Sequence, residues 1–421
     1  MYLLPFLVKE GLGGGLKLLS LVFCIYSLSF WRGLGRGKIF HMKVGIVCYP
    51  TYGGSGVVAT ELGMALARQG HKVHFITYAA PVRLEAFHEN IFYHEVSALD
   101  YPLFQYQPYE SALASKMVDV VKFERLDLLH VHYAIPHASA ALMAKSILRE
   151  EGINIPFITT LHGTDITLVG RDPSYRPVVE YSLNHSDGIT SVSSHLKDET
   201  LHTFKLKREI EVIPNFIDFS RFKKTNKEHF KKAIAPNGEK IVMHVSNFRK
   251  VKRVEDVVLM FDKVLPKIAS KLLLVGDGPE RMNCEMMCRE LGNCEHVRFL
   301  GKQDAIEDLL AIADLFVLPS EQESFGLAAL EAMACEVPVI SSNAGGIPEI
   351  NVQGETGFLS NVGDVDDMAR NAIYILEDED RLKQFKSNAF AQAKRFDIVN
   401  ILPVYEAYYK QVIEVSQPIV I

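Results

Sequence analysis

The chain has 421 residues, 48% of them hydrophobic and 23% charged, with 28 Gly and 18 Pro; this composition buries a large core and, at roughly 150 residues per domain, predicts two or three domains. A net charge of -6 gives nucleic acid no basic surface, so no nucleic-acid partner is expected and an anionic ligand needs a local basic cluster. Six cysteines, Cys24, Cys48, Cys284, Cys288, Cys294 and Cys335, are too few for a disulfide scaffold and point to a reducing, cytoplasmic setting.

Residues 1–41 differ from the rest. An uncharged apolar run, 18–31, lies between Lys17 and the basic residues Arg32, Arg36 and Lys38. It is shorter than the ~20 residues of a spanning helix, and it lacks a small-residue cleavage site. Met42 directly precedes the first expected strand, so translation is read as starting there. Membrane contact is expected only if 1–41 is genuine, as an anchor whose trailing basic residues favour a cytoplasmic body.

From Met42 onward, strand and helix alternate. The run 43–48 reads as a buried parallel strand. A turn at Gly53-Gly54-Ser55-Gly56 and a helix over 57–68, stopped by Gly70, follow it. Strands are expected at 72–77, 126–131, 156–161 and 188–192. The same order restarts with a strand at 240–245, a helix over 254–268, and strands at 271–275, 297–300, 315–318 and 337–341. Such alternation specifies parallel sheets covered by helices. The predicted fold is α/β, with two doubly wound Rossmann-like domains facing across a cleft. Their ranges are 42–212 and 213–395, and 396–421 is a C-terminal helix packing back on the first domain. Ligands of such sheets bind beyond the carboxyl ends of the strands.

Four segments at strand ends carry chemistry. Gly53-Gly54-Ser55-Gly56 lets a backbone approach a ligand at a helix N-terminus. It matches neither dinucleotide nor Walker patterns, and a tight structural turn reads equally well. Asn247-Phe-Arg249-Lys250-Val-Lys252-Arg253 holds four basic residues within five positions, suited to a diphosphate; the plainer reading is a solvated charge run. Glu323 and Glu331, eight residues apart, are read as lying at the start of one helix and two turns along it. Carboxylates accept sugar hydroxyls, and Gly326 marks a positive helix end; a first-turn acid and an exposed helix residue are the plainer readings. His162, in Leu161-His162-Gly163-Thr164-Asp165, can donate a hydrogen bond or handle a proton, or be merely structural. Asp364-Val-Asp366 reads as a helix cap rather than a metal motif, and Cys284, Cys288, Cys294 and His296 lack zinc-site spacing. No metal and no cofactor are expected.

With these residues in view, the chain resembles the retaining glycosyltransferases of family 4, which have the GT-B fold. The resemblance runs from Met42 to about Tyr409. It rests on Glu323 to Glu331 following Leu318-Pro-Ser320, with Pro214-Asn-Phe-Ile-Asp218, Val275-Gly-Asp-Gly-Pro279 and Gly345-Gly-Ile-Pro-Glu349. Four longer strings are similar to one bacillithiol-pathway branch of that family. They are Cys48-Tyr-Pro-Thr-Tyr-Gly-Gly-Ser-Gly56, His130-Val-His-Tyr-Ala-Ile-Pro-His137, Thr160-Leu-His-Gly-Thr-Asp-Ile-Thr167 and Val245-Ser-Asn-Phe-Arg-Lys-Val-Lys-Arg253.

That branch implies UDP-N-acetylglucosamine as donor, L-malate as acceptor, UDP as leaving group and retained configuration. It makes 42–212 the acceptor side and 213–395 the nucleotide-sugar side. By motif, Glu331 takes the ribose hydroxyls and Glu323 the hexose hydroxyls. Arg249 and Lys252 hold the diphosphate with Gly54 and N–H groups near Phe325, Gly326 and Leu327, and His162 lies beside the reacting sugar. For the dianionic acceptor, Ser55, Tyr133, Thr160 and Arg171 are expected. A lipid-linked or polysaccharide acceptor, a non-catalytic nucleotide-sugar-binding role and a homo-oligomer stay open. The chain departs from the family at Glu336, where Gly is usual and would suit a left-handed helix end, and in residues 1–41.

Overall fold

A computed structural model describes residues 41–84, 87–98 and 103–416; the 18–31 run lies outside them. Among the described residues no helix is long and apolar enough to cross a membrane.

Short apolar runs form two all-parallel sheets. The first orders β1 (Lys43–Val47), β2 (Lys72–Thr77), β3 (Ile91–Glu95), β4 (Leu128–His132), β5 (Phe157–Leu161), β6 (Gly188–Ser191) and β7 (Glu211–Val212) as β3-β2-β1-β4-β5-β6-β7. The second orders β8 (Lys240–Val245), β9 (Ser270–Val275), β10 (Val297–Gly301), β11 (Leu315–Leu318), β12 (Val339–Ser342) and β13 (Gly357–Ser360) as β10-β9-β8-β11-β12-β13. In each, the order reverses beside the first strand, β1 or β8. A crevice opens at such a reversal, outside the carboxyl ends of the strands.

Numbering only helices of eight residues or more, the first half carries α1 (Gly54–Arg68), α2 (Tyr109–Glu124), α3 (Ser139–Glu150), α4 (Arg176–His185) and α5 (Ser194–Thr203). The second carries α6 (Val254–Val264), α7 (Arg281–Leu291), α8 (Leu327–Ala334), α9 (Val365–Leu376), α10 (Glu379–Ala393) and α11 (Ile398–Ser416). The helix expected over 254–268 ends at Val264, and the strand expected from 337 begins at Val339, after Pro338, which has no N–H for a ladder.

α1 is buried from Ser55 to Ala67 because it is covered twice, by the first sheet and by α11. Ile401, Leu402, Tyr405 and Tyr409 of α11 join Val44, Ile46, Leu62 and Phe75 in one apolar cluster. The Tyr409 hydroxyl lies 2.6 Å from His130 Nδ1 in β4, which ties the last helix to the centre of the first sheet. β4 and β5 are buried throughout yet carry His130, His132, Thr159 and Thr160. Polar groups at such depth need partners: Thr159 has Ser186, Thr160 has His130 and Thr190, and His132 reaches His162 after β5.

Candidate active site

A cavity of ≈ 790 Å³ opens between the carboxyl ends of the two sheets. Gly53, Gly54 and Arg83 line it from the first half; Arg249, Lys252, Glu323, Leu327 and Glu331 line it from the second. The first residues of α1 and α8 therefore face the same space. Gly54 is close enough to Leu327 that an added Cβ would stand 3.9 Å from its Cδ2. Two helix N-termini converging on one cavity favour an anion.

After β8, the chain turns through the basic loop. Arg253 is engaged elsewhere, its Nε and Nη2 donating to Asp256 at 2.6 and 3.1 Å. Of the four basic residues there, Arg249 and Lys252 line the cavity. Lys252 Nζ donates to Glu323 Oε2 at 2.7 Å, a half-buried pair from two strand ends.

Glu323 is not in a helix, contrary to the sequence reading. Gly326 adopts a left-handed conformation, φ 95°, as the N-cap of α8, so residues 323–325 form the turn ahead of the helix. Glu331 therefore lies in the second turn of a helix that begins at Leu327. Gly345, φ 62°, holds the Glu323 backbone from behind, and a Cβ there would strike the Glu323 carbonyl. The Phe325 ring is buried and packs edge-on against Phe396, and of residues 325–327 Leu327 lines the cavity.

Glu331 is only 5% exposed. Its Oε1 accepts from Arg83 Nη2 at 3.1 Å, and Arg83 Nη1 donates to Glu61 Oε1 at 2.7 Å. Burial pushes the Glu331 carboxyl up to about 7, Arg83 opposes that rise and Glu61 adds to it. Burial likewise raises Glu61. Burial disfavours the charge on Arg83, but the two carboxylates outweigh it and hold the guanidinium above its ordinary value.

Across the cleft, His162 follows β5. Its Nε2 lies 2.8 Å from His132 Nδ1, and its ring stacks against Tyr133, centroids 5.5 Å apart. Burial, with a smaller effect of His137, pushes His162 down to about 3, so it is a neutral imidazole. His132 is lowered too, chiefly by burial; in the neutral pair one ring nitrogen donates and the other accepts. Asp165 organises this corner. Its Oδ1 accepts from the His162 and Gly163 N–H groups at 3.2 and 2.9 Å, and its Oδ2 from Ala134 N–H at 3.0 Å.

Ser55 is buried in the first turn of α1, and the Ser55 and Thr164 side chains lie beside Tyr133, where they oppose the rise that burial imposes on its phenol. Tyr133 also lines a second cavity of ≈ 410 Å³ with Tyr49, Pro136 and Asp165. Thr160 is fully buried, and its hydroxyl lies 2.6 Å from both His130 Nε2 and Thr190 Oγ1; it supports the histidine row rather than facing the cleft. Arg171 is exposed, pairs with Glu199 and lines neither cavity.

Sequence reasoning assigned nothing to Arg83, Glu61, His132 or Asp165. Asp165 had a local signal, an acid two residues after a glycine at a helix start. The Arg83–Glu331 contact had none.

Asp364 caps α9, accepting from Asp367 N–H at 2.9 Å. Cys284 and Cys288 are core residues of α7, and burial raises both thiols; Cys294 is exposed. His74, His94 and Glu124 bring potential ligand atoms within 4.8 Å. His74 Nδ1 and His94 Nε2 already share a 3.0 Å hydrogen bond, and Lys43, Lys72 and Lys116 place positive charge around them.

Residues 52–221 match the family described as Glycosyltransferase Family 4, and residues 225–392 the one described as Glycosyl transferases group 1. The chain is 47% identical over 374 residues to the N-acetyl-alpha-D-glucosaminyl L-malate synthase of Bacillus anthracis, covering 88% of this chain and 97% of that one. The chain belongs to glycosyltransferase family 4.

Solved structures with the same architecture include Anabaena HepE in complex with UDP and glucose, at TM-score 0.75 and 22% identity over 88% of this chain and 100% of that one. Sucrose-phosphate synthase from Thermosynechococcus elongatus superposes at TM-score 0.73 and 21% identity, over 89% and 100%. This family 4 glycosyltransferase has the GT-B fold, with its cavity between the two sheets.

Proposed function

We propose that this glycosyltransferase moves N-acetylglucosamine from UDP-N-acetylglucosamine to L-malate with retained configuration, releasing UDP, the step that opens bacillithiol biosynthesis. The observation that carries the reading is identity of 47% across 97% of a relative named for that synthesis. The cleft chemistry supports it. Glu331 accepts the ribose hydroxyls and Glu323 the hexose hydroxyls. Arg249, Lys252, Gly54 and the N–H groups of Phe325, Gly326 and Leu327 hold the diphosphate, where negative charge grows as the sugar departs. On donor binding, Lys252 exchanges part of its contact with Glu323 for phosphate oxygen.

The anomeric carbon loses its bond to the β-phosphate oxygen and gains one, on the same face, to the malate hydroxyl oxygen; the hydroxyl proton passes to the departing diphosphate. His162, neutral and fixed by His132, orients the sugar. Ser55 and Tyr133, near the N-terminus of α1, offer donors to a malate carboxylate, and Thr160 acts behind them through His130. No divalent ion takes part in this scheme. Incubating both substrates with EDTA and weighing the product tests it: a mass equal to N-acetylglucosaminyl malate is expected. No such product, or its appearance only when a divalent ion is restored, overturns the scheme.

A further inference from the structure

Arg83 belongs to no motif of the sequence, yet it joins the two halves of the site. It lies 248 residues from Glu331, in the loop after β2, and takes a left-handed conformation, φ 66°. A non-glycine residue keeps such a conformation only where its surroundings over-determine it. Here they do. The guanidinium reaches Glu61 of α1 with one terminal nitrogen and Glu331 of α8 with the other, and stands 5.4 Å from the centroid of the Phe222 ring. The two glutamate side chains are buried, at 7% exposure each, and the Arg83 side chain is 11% exposed. Arg83 also lines the large cavity.

We propose that Arg83, anchored by Glu61, is the positioning residue of the nucleoside site: it orients the Glu331 carboxylate for the ribose hydroxyls and completes that site only when the two domains close. The inference rests on the reading of Glu331 as the ribose ligand. Ribose hydroxyls are donors, and they need a carboxylate that accepts. A carboxyl at this depth without a cation takes up a proton and turns one oxygen into a donor. Arg83 opposes this and engages only Oε1. Its planar fork spans two carboxylates at once, which a lysine ammonium on a flexible stem does not reproduce. Glu61 keeps the guanidinium from swinging fully onto Glu331. The charged groups facing Glu331 are Arg83 and Glu61 from the first domain and Arg221 from the start of the second, with the Cys335 thiol at the C-cap of α8.

The test is calorimetric titration of the full chain with UDP, 2′-deoxy-UDP and 3′-deoxy-UDP. Wild-type protein is expected to bind UDP at least about tenfold more tightly than a deoxy analogue, the worth of a hydrogen bond to a charged group. Arg83→Ala and Arg83→Lys are expected to weaken UDP binding about tenfold or more and to erase that discrimination. Arg83→Ala takes away a charge that lowers the Glu331 carboxyl, so its pH midpoint of UDP binding moves up; Arg83→Lys, which keeps a cation, moves it less. Glu61→Gln shifts it down, because the Glu61 charge adds to the rise of the Glu331 carboxyl.

Arg83→Lys, checked as folded by its melting curve, keeps the test sound if the alanine variant does not fold. If that variant binds UDP and discriminates like wild type, the inference fails while the ribose reading stands. Equal loss of UDP and both analogues, with the preference intact, also overturns the positioning role. Wild-type protein that binds all three ligands equally sinks the ribose reading, and the inference with it.

Discussion

At the scale of single residues, Glu331 is the group expected to set the pH response of donor binding. Its carboxyl, ordinarily at 4.5, stands near 7 in the folded chain because burial outweighs Arg83. The folded state thus holds this proton more tightly than the unfolded chain does. Its contribution to stability is fully present below 4.5 and is lost as pH rises through about 7. Binding runs the other way, since only the ionised carboxylate accepts both ribose hydroxyls. The KM for donor is therefore expected to fall as pH rises from 6 to 8, with a midpoint near 7, and to be flat over that range in Glu331→Gln. His162, at about 3, stays neutral throughout and adds no inflection. A wild-type KM independent of pH would contradict the role given to Glu331.

The carboxylate pair and the basic loop were legible in the sequence because each is a compact string at a strand end. Arg83, His132 and Asp165 were not, because their meaning lies in partners that only the fold supplies. Arg171 shows the converse. A cation suited to a dianionic acceptor by type alone is placed against Glu199 on α5, away from both cavities.

At the scale of elements, α8 carries both Glu331 and a cost. It ends at Ala334 with Cys335 as its C-cap, and Glu336 then adopts φ 60°, the left-handed position where glycine is at ease and a side chain is not. Glu336→Gly is expected to stabilise the fold by about 1 kcal/mol, trading left-handed strain against the extra freedom of glycine in the unfolded chain. That corresponds to a rise of about 2 °C in Tm, with turnover unchanged because Glu336 lines neither cavity. A lower Tm in a thermal melt would show that the half-buried Glu336 side chain contributes more than its backbone costs.

The strand and helix order was readable, since buried parallel strands are near-continuous apolar runs. Boundaries were less so. α1 starts at Gly54, three residues before the first apolar one, because a helix N-terminus needs no apolar residue. Glu323 falls outside α8 because one left-handed glycine restarts the chain direction at 326.

At the scale of the molecule, the cavity is the product of closure between two sheets. Tyr52 O–H donates to Asp304 at 2.8 Å, and Ser193 O–H donates to the Ser324 carbonyl at 2.6 Å. Ser194 and His195 N–H groups, at the start of α5, donate to the Glu349 carboxylate at 3.1 and 2.9 Å. Gly163, φ 115°, faces Ser324 so closely that a Cβ would collide with its side chain. These pairs join residues more than a hundred positions apart, and no local pattern announces them. They bring the helix N-termini, the cations and the carboxylates to one cavity between the sheets, the arrangement that the proposed transfer needs.

The measurement that tests this account most directly is release of UDP from UDP-N-acetylglucosamine by the purified protein, with and without L-malate. The account predicts release that depends on malate and saturates with it. Release at the same rate without malate, or none in its presence while UDP still binds, would contradict the assignment of the acceptor.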